Sequence, residues 1–131
     1  MKKDIENHDD IVLLVNTFYE KVKKDELIHH FFTDTVKVDW EKHLPVMYRF
    51  WENIVFHTGS YAGNPMEVHK KLHAKSAMHH FHFERWLKLF NETVDDLFEG
   101  EKSFQIKQRA LSIATVMQIK IDDVQREESF Y

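Results

Sequence analysis

Apolar residues recur every three or four positions along most of the chain, which is the spacing of one face of an α-helix. The first such stretch predicts a helix from Asp9 or Asp10 to Lys24, with the two aspartates as candidate caps. A short helical turn is expected around 26–32. The side chains expected to face inward from the first helix are Ile11, Leu14, Val15, Phe18 and Val22.

A second helix is predicted to begin at Asp39 and to carry a wide apolar stripe. Pro45 removes one backbone donor from this stretch, so we expect it to open the helix one turn after its start. Gly59 breaks the chain, and Pro65 suits the first turn of a short helix that carries His69. The inward side chains of the second helix are Trp40, Leu44, Met47, Trp51, Ile54 and Val55.

Two longer helices are predicted in the C-terminal part, one from about His80 to Phe98 and one from about Glu101 to Asp123, with Gly100 between them. Their inward side chains are Phe83, Trp86, Leu87, Phe90, Val94 and Leu97, then Ile106, Ala110, Ile113, Ala114, Met117 and Ile121. The charged tail 122–131 is expected to fray. Because no strand-like alternation and no repeat interrupts these patterns, the sequence predicts a single all-α domain.

Composition narrows the class of protein. The 131 residues include 3 Gly and 2 Pro, which favours long helices, and no Cys, which excludes disulfides and thiolate metal sites. The formal net charge of −4 is spread over interspersed charges without a basic patch, which argues against nucleic-acid binding. No apolar run approaches the ~20 residues of a membrane span, and the N-terminus lacks the core of a signal peptide. We therefore expect a soluble, cytoplasmic protein that binds neither nucleic acid nor membrane.

Aromatic side chains are more abundant than a small helical core requires, with 11 Phe, 4 Tyr and 3 Trp. A flat apolar ligand would use the surplus. Tyr19, His43 and Trp86 each place a polar atom on an otherwise apolar helical face. They are either core residues whose polar atoms are satisfied locally or hydrogen-bond donors that converge on one site.

Histidine is also unusually frequent, with ten in the chain. The runs at 29–30 and 79–82 are expected at the surface. His69 is the candidate metal ligand, because one ring nitrogen could bind a metal while the other donates to a backbone carbonyl. A structural or surface role is the alternative for His69, and His73, one turn further on, competes on spacing alone. No His-Glu-x-x-His motif, di-iron motif or Gly-rich phosphate loop offers another chemistry.

Six short motifs follow one another from the first helix to the fourth. They are Phe-Tyr-Glu-Lys-Val at 18–22, the segment 27–31, Trp-Glu-Lys-His at 40–43, Phe-Trp at 50–51, Tyr-x-Gly-Asn-Pro-x-x-x-His at 61–69, and Phe-x-Arg-Trp-Leu-x-Leu-Phe at 83–90. In this order and spacing the chain resembles the third group of truncated haemoglobins, short bacterial globins folded as two helices over two.

The resemblance implies a haem b cofactor whose iron is held by His69 as proximal ligand. It places Tyr19, His43 and Trp86 on the distal side, where a diatomic ligand would sit. The other residues implied to lie against the haem are Phe31, Met47 and Phe83, with His73 near the haem edge.

The implied function is binding of O₂, nitric oxide and other diatomics at a five-coordinate iron. Hydrogen bonds from Tyr19 and Trp86 would slow O₂ release, which favours nitric oxide dioxygenase or peroxidase-like turnover supported by an unidentified reductase. Tyr19, Trp86 and His43 would act in that turnover. The alternatives are reversible oxygen binding, a haem-based sensing module without turnover, or a helical protein without haem. His43 could point inward as a donor or iron ligand, or outward as a gate, and we favour the gate because the donor role is already filled.

Overall fold

The part of the chain that the structure, a computed structural model, describes is mainly helical. That part comprises residues 2–32, 39–59 and 78–129, with the side chains from residue 123 onward excepted. Its helices are α1, His8–Lys24; α2, Trp40–Phe56; α3, His80–Leu97; and α4, Glu101–Ser129. These ranges contain no strand, so the predicted all-α class is confirmed.

Helix α1 begins at a local cap and buries one apolar face. The side chain of Asn7 accepts a hydrogen bond from the backbone N–H of Asp10 at 3.0 Å, so the prediction that Asp9 or Asp10 is the cap was wrong. Asp10 instead accepts from Lys3 and from the backbone N–H of Glu6. The inward face matches the predicted one, and each large apolar side chain buried there contributes roughly 1.5–3 kcal/mol. Its buried members are Ile11, Leu14, Val15, Phe18, Tyr19 and Val22.

Helix α2 runs without interruption through Pro45, so the expected opening one turn after its start does not occur. A proline at this position removes the hydrogen bond that would end on the carbonyl of Glu41. Because Glu41 is exposed, water can replace the missing donor. The predicted apolar stripe is only partly buried: Trp51 and Val55 are buried, and Trp40, Leu44, Met47 and Ile54 are half-buried.

The corner between α3 and α4 is held by the N-terminal segment. The Asp4 carboxylate accepts hydrogen bonds from the backbone N–H groups of Lys102 and Ser103, both at 2.8 Å, and from the Ser103 hydroxyl at 2.7 Å. Asp4 thereby takes the part of a helix N-cap for α4. Gly100 lies beside it with φ of +149°, and a Cβ there would come within 2.6 Å of the Asp4 side chain. The glycine is therefore required both by its backbone angle and by the close approach of Asp4.

The core lies where α1 meets α2 and α3. Helix α1 packs against both of these, and α4 packs against α3 and less extensively against α2. From α4 the predicted inward residues are buried except Ile113, which is half-buried. The helix continues to Ser129, beyond the predicted end at Asp123. In the ranges given above, no helix is long and apolar enough to cross a membrane.

Candidate functional site

Tyr19 and His43 meet at the contact between α1 and α2. The Tyr19 side chain is 7% exposed, and its hydroxyl oxygen lies 3.3 Å from Nε2 of His43. His43 is half-buried. Its ring is therefore directed inward toward Tyr19, which differs from the outward, gating orientation that we favoured from the sequence.

Burial also fixes the chemical state of Tyr19. Loss of hydration raises the pKa of this phenol well above its usual value of 10.0, because the phenolate cannot be solvated in the core. Tyr19 therefore remains protonated at neutral pH, and its O–H is available as a hydrogen-bond donor. Which of the two partners donates in the contact with His43 depends on the imidazole tautomer.

Trp86 contributes the third polar atom, from α3. Its ring is half-buried, meets the edge of Phe18 at 5.7 Å and stacks on Phe90 at 5.6 Å with an interplanar angle of 11°. Phe90 in turn stacks on Trp51 at 4.6 Å. Phe18 contacts the adjacent ring of Tyr19 at 5.2 Å. The structure thus brings Tyr19, His43 and Trp86 into one connected set of rings.

Trp40 belongs to the same set, although the sequence had indicated it only as part of an apolar stripe and of the motif at 40–43, not as a site residue. Its ring centroid lies 5.3 Å from that of Tyr19 and 5.7 Å from that of His43. The Nζ atom of Lys23 lies over the Trp40 ring at 4.3 Å. Helical spacing indicates the two pairs within each helix, because Trp40 precedes His43 by three residues and Lys23 follows Tyr19 by four. It does not indicate that the two pairs meet.

Other residues predicted to face the cofactor differ in burial. Phe31 and Phe83 are buried, and Met47 is half-buried. The edge of Phe31 meets the ring of His82 at 4.8 Å. His82 is 8% exposed, so its predicted surface position was wrong.

His82 is buried because of the contacts that it makes at the first turn of α3. His82 Nδ1 accepts a hydrogen bond from the backbone N–H of His79 at 2.9 Å, and the ring fills the space between this turn and Phe31. Burial lowers the pKa of His82, and the nearby His30 and His79 lower it further. A neutral imidazole is therefore favoured, as an Nδ1 acceptor requires.

The predicted metal ligand lies outside the described residues. That ligand is His69, and the alternative, His73, also lies outside the described residues. The roles of both histidines therefore remain predictions. Within the ranges that are described, no group of three His, Asp or Glu side chains could hold a metal ion.

The apolar face of α2 suits a flat apolar cofactor. Leu44, Met47 and Ile54 share the face of the buried Trp51, yet each stays half-buried. This face adjoins the polar atoms of Tyr19 and His43 at one end. A large planar ring would cover the apolar part and leave the polar atoms to a small ligand, so these residues fit a haem group.

Comparison with known proteins defines the class. The sequence profile of the bacterial-like globins matches residues 3–121, and the chain therefore belongs to that family. Group 3 truncated hemoglobin ctb from Campylobacter jejuni subsp. jejuni serotype O:2 is 32% identical over 121 residues, which cover 90% of this chain and 93% of that protein. The crystal structure of group III truncated hemoglobin from Campylobacter jejuni matches with a TM-score of 0.77 at 33% identity, over 92% of this chain and 95% of that one.

These comparisons confirm the resemblance to the third group of truncated haemoglobins and the globin-like fold. Globins bind haem and, through it, diatomic gases such as O₂. The chain is accordingly a haem protein of this class.

Proposed function

We propose that the chain binds haem b through His69 and holds a diatomic ligand against Tyr19, Trp86 and His43. The match to the bacterial-like globin family over residues 3–121 supports the binding of haem. The absence of cysteine supports the b type, because thioether attachment of haem requires cysteine side chains. When bound, haem supplies an iron with an open position for O₂ or nitric oxide. The chain's own residues determine how firmly that ligand is held.

The expectation of slow O₂ release depends on two hydrogen-bond donors. The Tyr19 hydroxyl is buried and protonated, and the Trp86 indole lies on the neighbouring helix, against the ring of Phe18 that Tyr19 also contacts. Each hydrogen bond to a partly charged ligand in a dry pocket contributes about 1–3 kcal/mol. Two such bonds slow escape by about two powers of ten or more, since ~1.4 kcal/mol corresponds to a factor of ten.

Slow release favours redox chemistry on the ligand over oxygen delivery. The proposed overall reaction joins nitric oxide, O₂ and one electron to give nitrate, and a separate reductase supplies the electron that restores the ferrous state. The inward orientation of His43 supports a role beside Tyr19, where its imidazole can share a hydrogen bond with the phenol. The single observation that carries this proposal is the close contact of Tyr19 with His43 at 3.3 Å, inside the aromatic set.

The ligand assignment is tested with the variants His69→Gly and His73→Gly, expressed with haem available. We expect His69→Gly to lose the intense Soret absorption and to regain it with added imidazole. His73→Gly is the matched control, because it removes a histidine four residues further along the chain. If His73→Gly alone loses the band, the assignment moves to that residue.

Turnover is tested by stopped-flow mixing of the oxygenated protein with nitric oxide. We expect rapid loss of the oxygenated spectrum and stoichiometric nitrate. Slow or absent nitrate formation would leave reversible oxygen binding or ligand sensing as the function. Trp86→Phe, which keeps an aromatic ring but removes the indole N–H, should raise the O₂ dissociation rate about tenfold.

A further inference from the structure

Three rings form a closed triangle at the distal end of the site. The centroid distances are 5.3 Å for Tyr19–Trp40, 5.4 Å for Tyr19–His43 and 5.7 Å for Trp40–His43. The interplanar angles are 61°, 76° and 77°, so each ring meets the others edge to face. Edge-to-face contacts of this kind are favourable and directional. Each member of the triangle therefore restricts the rotation of the other two.

Trp40 is the member whose own position needs explanation, because it is the first residue of α2. The preceding residue, Asp39, makes no side-chain cap hydrogen bond, so capping does not hold this helix end. The Trp40 ring instead stacks on Phe32 at 6.1 Å with an angle of 26°. Nζ of Lys23 also lies over the ring, 4.3 Å from its centroid. An ammonium over the face of an indole is attracted to the ring's negative potential.

We propose that Trp40 is a positioning residue for the ligand side of the pocket, and that Lys23 holds Trp40 in place. Trp40 keeps the His43 imidazole turned toward the Tyr19 hydroxyl, so that both groups stay directed at the ligand. This inference rests on the proposed function. It assigns a role to two residues that do not touch the ligand themselves.

The consequence follows from the exposure of His43. A half-buried imidazole can turn toward solvent when the ring that restrains it is removed. Tyr19 then loses its partner at 3.3 Å, and its hydroxyl gains rotational freedom. Ligand hydrogen bonds become less well aligned, and the ligand dissociates faster.

The test compares Trp40→Leu, Trp40→Phe and Lys23→Met in the haem-loaded protein. Lys21→Met is the matched control: the Lys21 and Lys23 side chains are both 30% exposed, and Lys21 pairs with Asp96 instead. The readouts are the Soret spectrum, the O₂ dissociation rate and the C–O stretching frequency of the ferrous carbon monoxide form. That frequency reports the polarity next to the ligand and does not depend on turnover.

We expect Trp40→Leu to raise the O₂ dissociation rate about tenfold, the effect of one lost hydrogen bond, and to shift the C–O band toward that of an apolar pocket. Trp40→Phe should keep the O₂ dissociation rate and the C–O band close to those of the unmodified protein. Lys23→Met should raise the rate about threefold, as expected for one exposed cation–π contact, and Lys21→Met should change nothing.

Unchanged rates and bands in both Trp40→Leu and Lys23→Met, with normal Soret spectra, would overturn the inference. Because Lys23→Met changes one partly exposed side chain beside Trp40 and leaves every aromatic ring in place, it tests the idea even if Trp40→Leu folds poorly. Failure of the proposed function looks different. In that case the unmodified chain itself would lack a Soret band, or would have one and form no nitrate with nitric oxide.

Discussion

Removal of the Tyr19 hydroxyl is the most direct test of the ligand site. Tyr19→Phe deletes one oxygen atom and keeps the ring, so the contacts with Phe18, Trp40 and His43 can persist. The hydroxyl is buried and stays protonated. The substitution therefore removes a hydrogen-bond donor from the pocket without opening a large cavity.

Two effects of different size are expected. Without ligand, the lost contact is the one with His43 at 3.3 Å, which is long for a hydrogen bond. Its loss should lower the free energy of unfolding by about 0.5–1 kcal/mol and the melting temperature by about 2–4 °C. With ligand, the lost bond ends on a partly charged atom and contributes about 1–3 kcal/mol. O₂ dissociation should then be faster by a factor of about 5–150.

The assay is displacement of O₂ by carbon monoxide in a stopped-flow spectrometer, beside a thermal melt of each variant. Tyr48→Phe is the matched control. Its hydroxyl donates to Asn16 in the same α1–α2 contact, outside the rings of the pocket. It should lose comparable stability and keep the original O₂ dissociation rate.

Equal dissociation rates in Tyr19→Phe and the unmodified protein would refute the donor role of Tyr19. A rise of the same size in Tyr48→Phe would show instead that the rate follows the packing of α1 on α2. Only a rise confined to Tyr19→Phe agrees with a hydrogen bond to the ligand.

Three further predictions concern the scaffold. Burial alone would raise the pKa of Asp4, but hydrogen bonds from Ser103, Lys102 and Ile5 outweigh it and hold the pKa below 3.8. Asp4→Asn should therefore lower the free energy of unfolding at neutral pH by about 1–2 kcal/mol, as measured in thermal melts. The loss should become smaller as the pH falls below 3.8. His82 has a lowered pKa, so its contribution to the free energy of unfolding is complete above pH 6.5 and declines as the pH falls from there. In His82→Gln the free energy of unfolding should depend less on pH in this range. Arg85→Met leaves the Asp25 carboxylate, 5% exposed, without its ion pair. A loss of about 1–2 kcal/mol in urea unfolding is expected, because Arg85 itself is partly exposed.

Much of the fold was predictable because its signal is local. The spacing of apolar residues identified the faces of α1 and α3, where Leu14, Phe18, Phe90 and Val94 are indeed buried. The error at His82 came from treating it with its exposed neighbours His79 and His80 as one surface run. Its helical phase indicates otherwise, because it precedes Trp86 by four residues and shares that face of α3.

The contacts that the sequence could not reveal join residues far apart in the chain. Asp4 caps a helix 98 residues away, and Arg85 pairs with Asp25 across 60 residues at 2.8 Å. Neither pair follows a periodic pattern, since each depends on how whole helices are placed. The same holds for the triangle of Tyr19, Trp40 and His43. The spacing of Trp40 and His43 on α2 could be read from the sequence. The contact of this pair with Tyr19 on α1 could not.

The geometry of the candidate site depends on two neighbouring residues of α1. Successive side chains on an α-helix point about 100° apart, so Phe18 and Tyr19 face different partners. Tyr19 meets His43 on α2, whereas Phe18 meets Trp86 and Phe90 on α3. Helix α1 therefore contacts both helices that carry the other polar groups of the site. The stack of Trp51 on Phe90 also joins α2 directly to α3, so the separation of His43 and Trp86 depends on this contact together with the packing of α1.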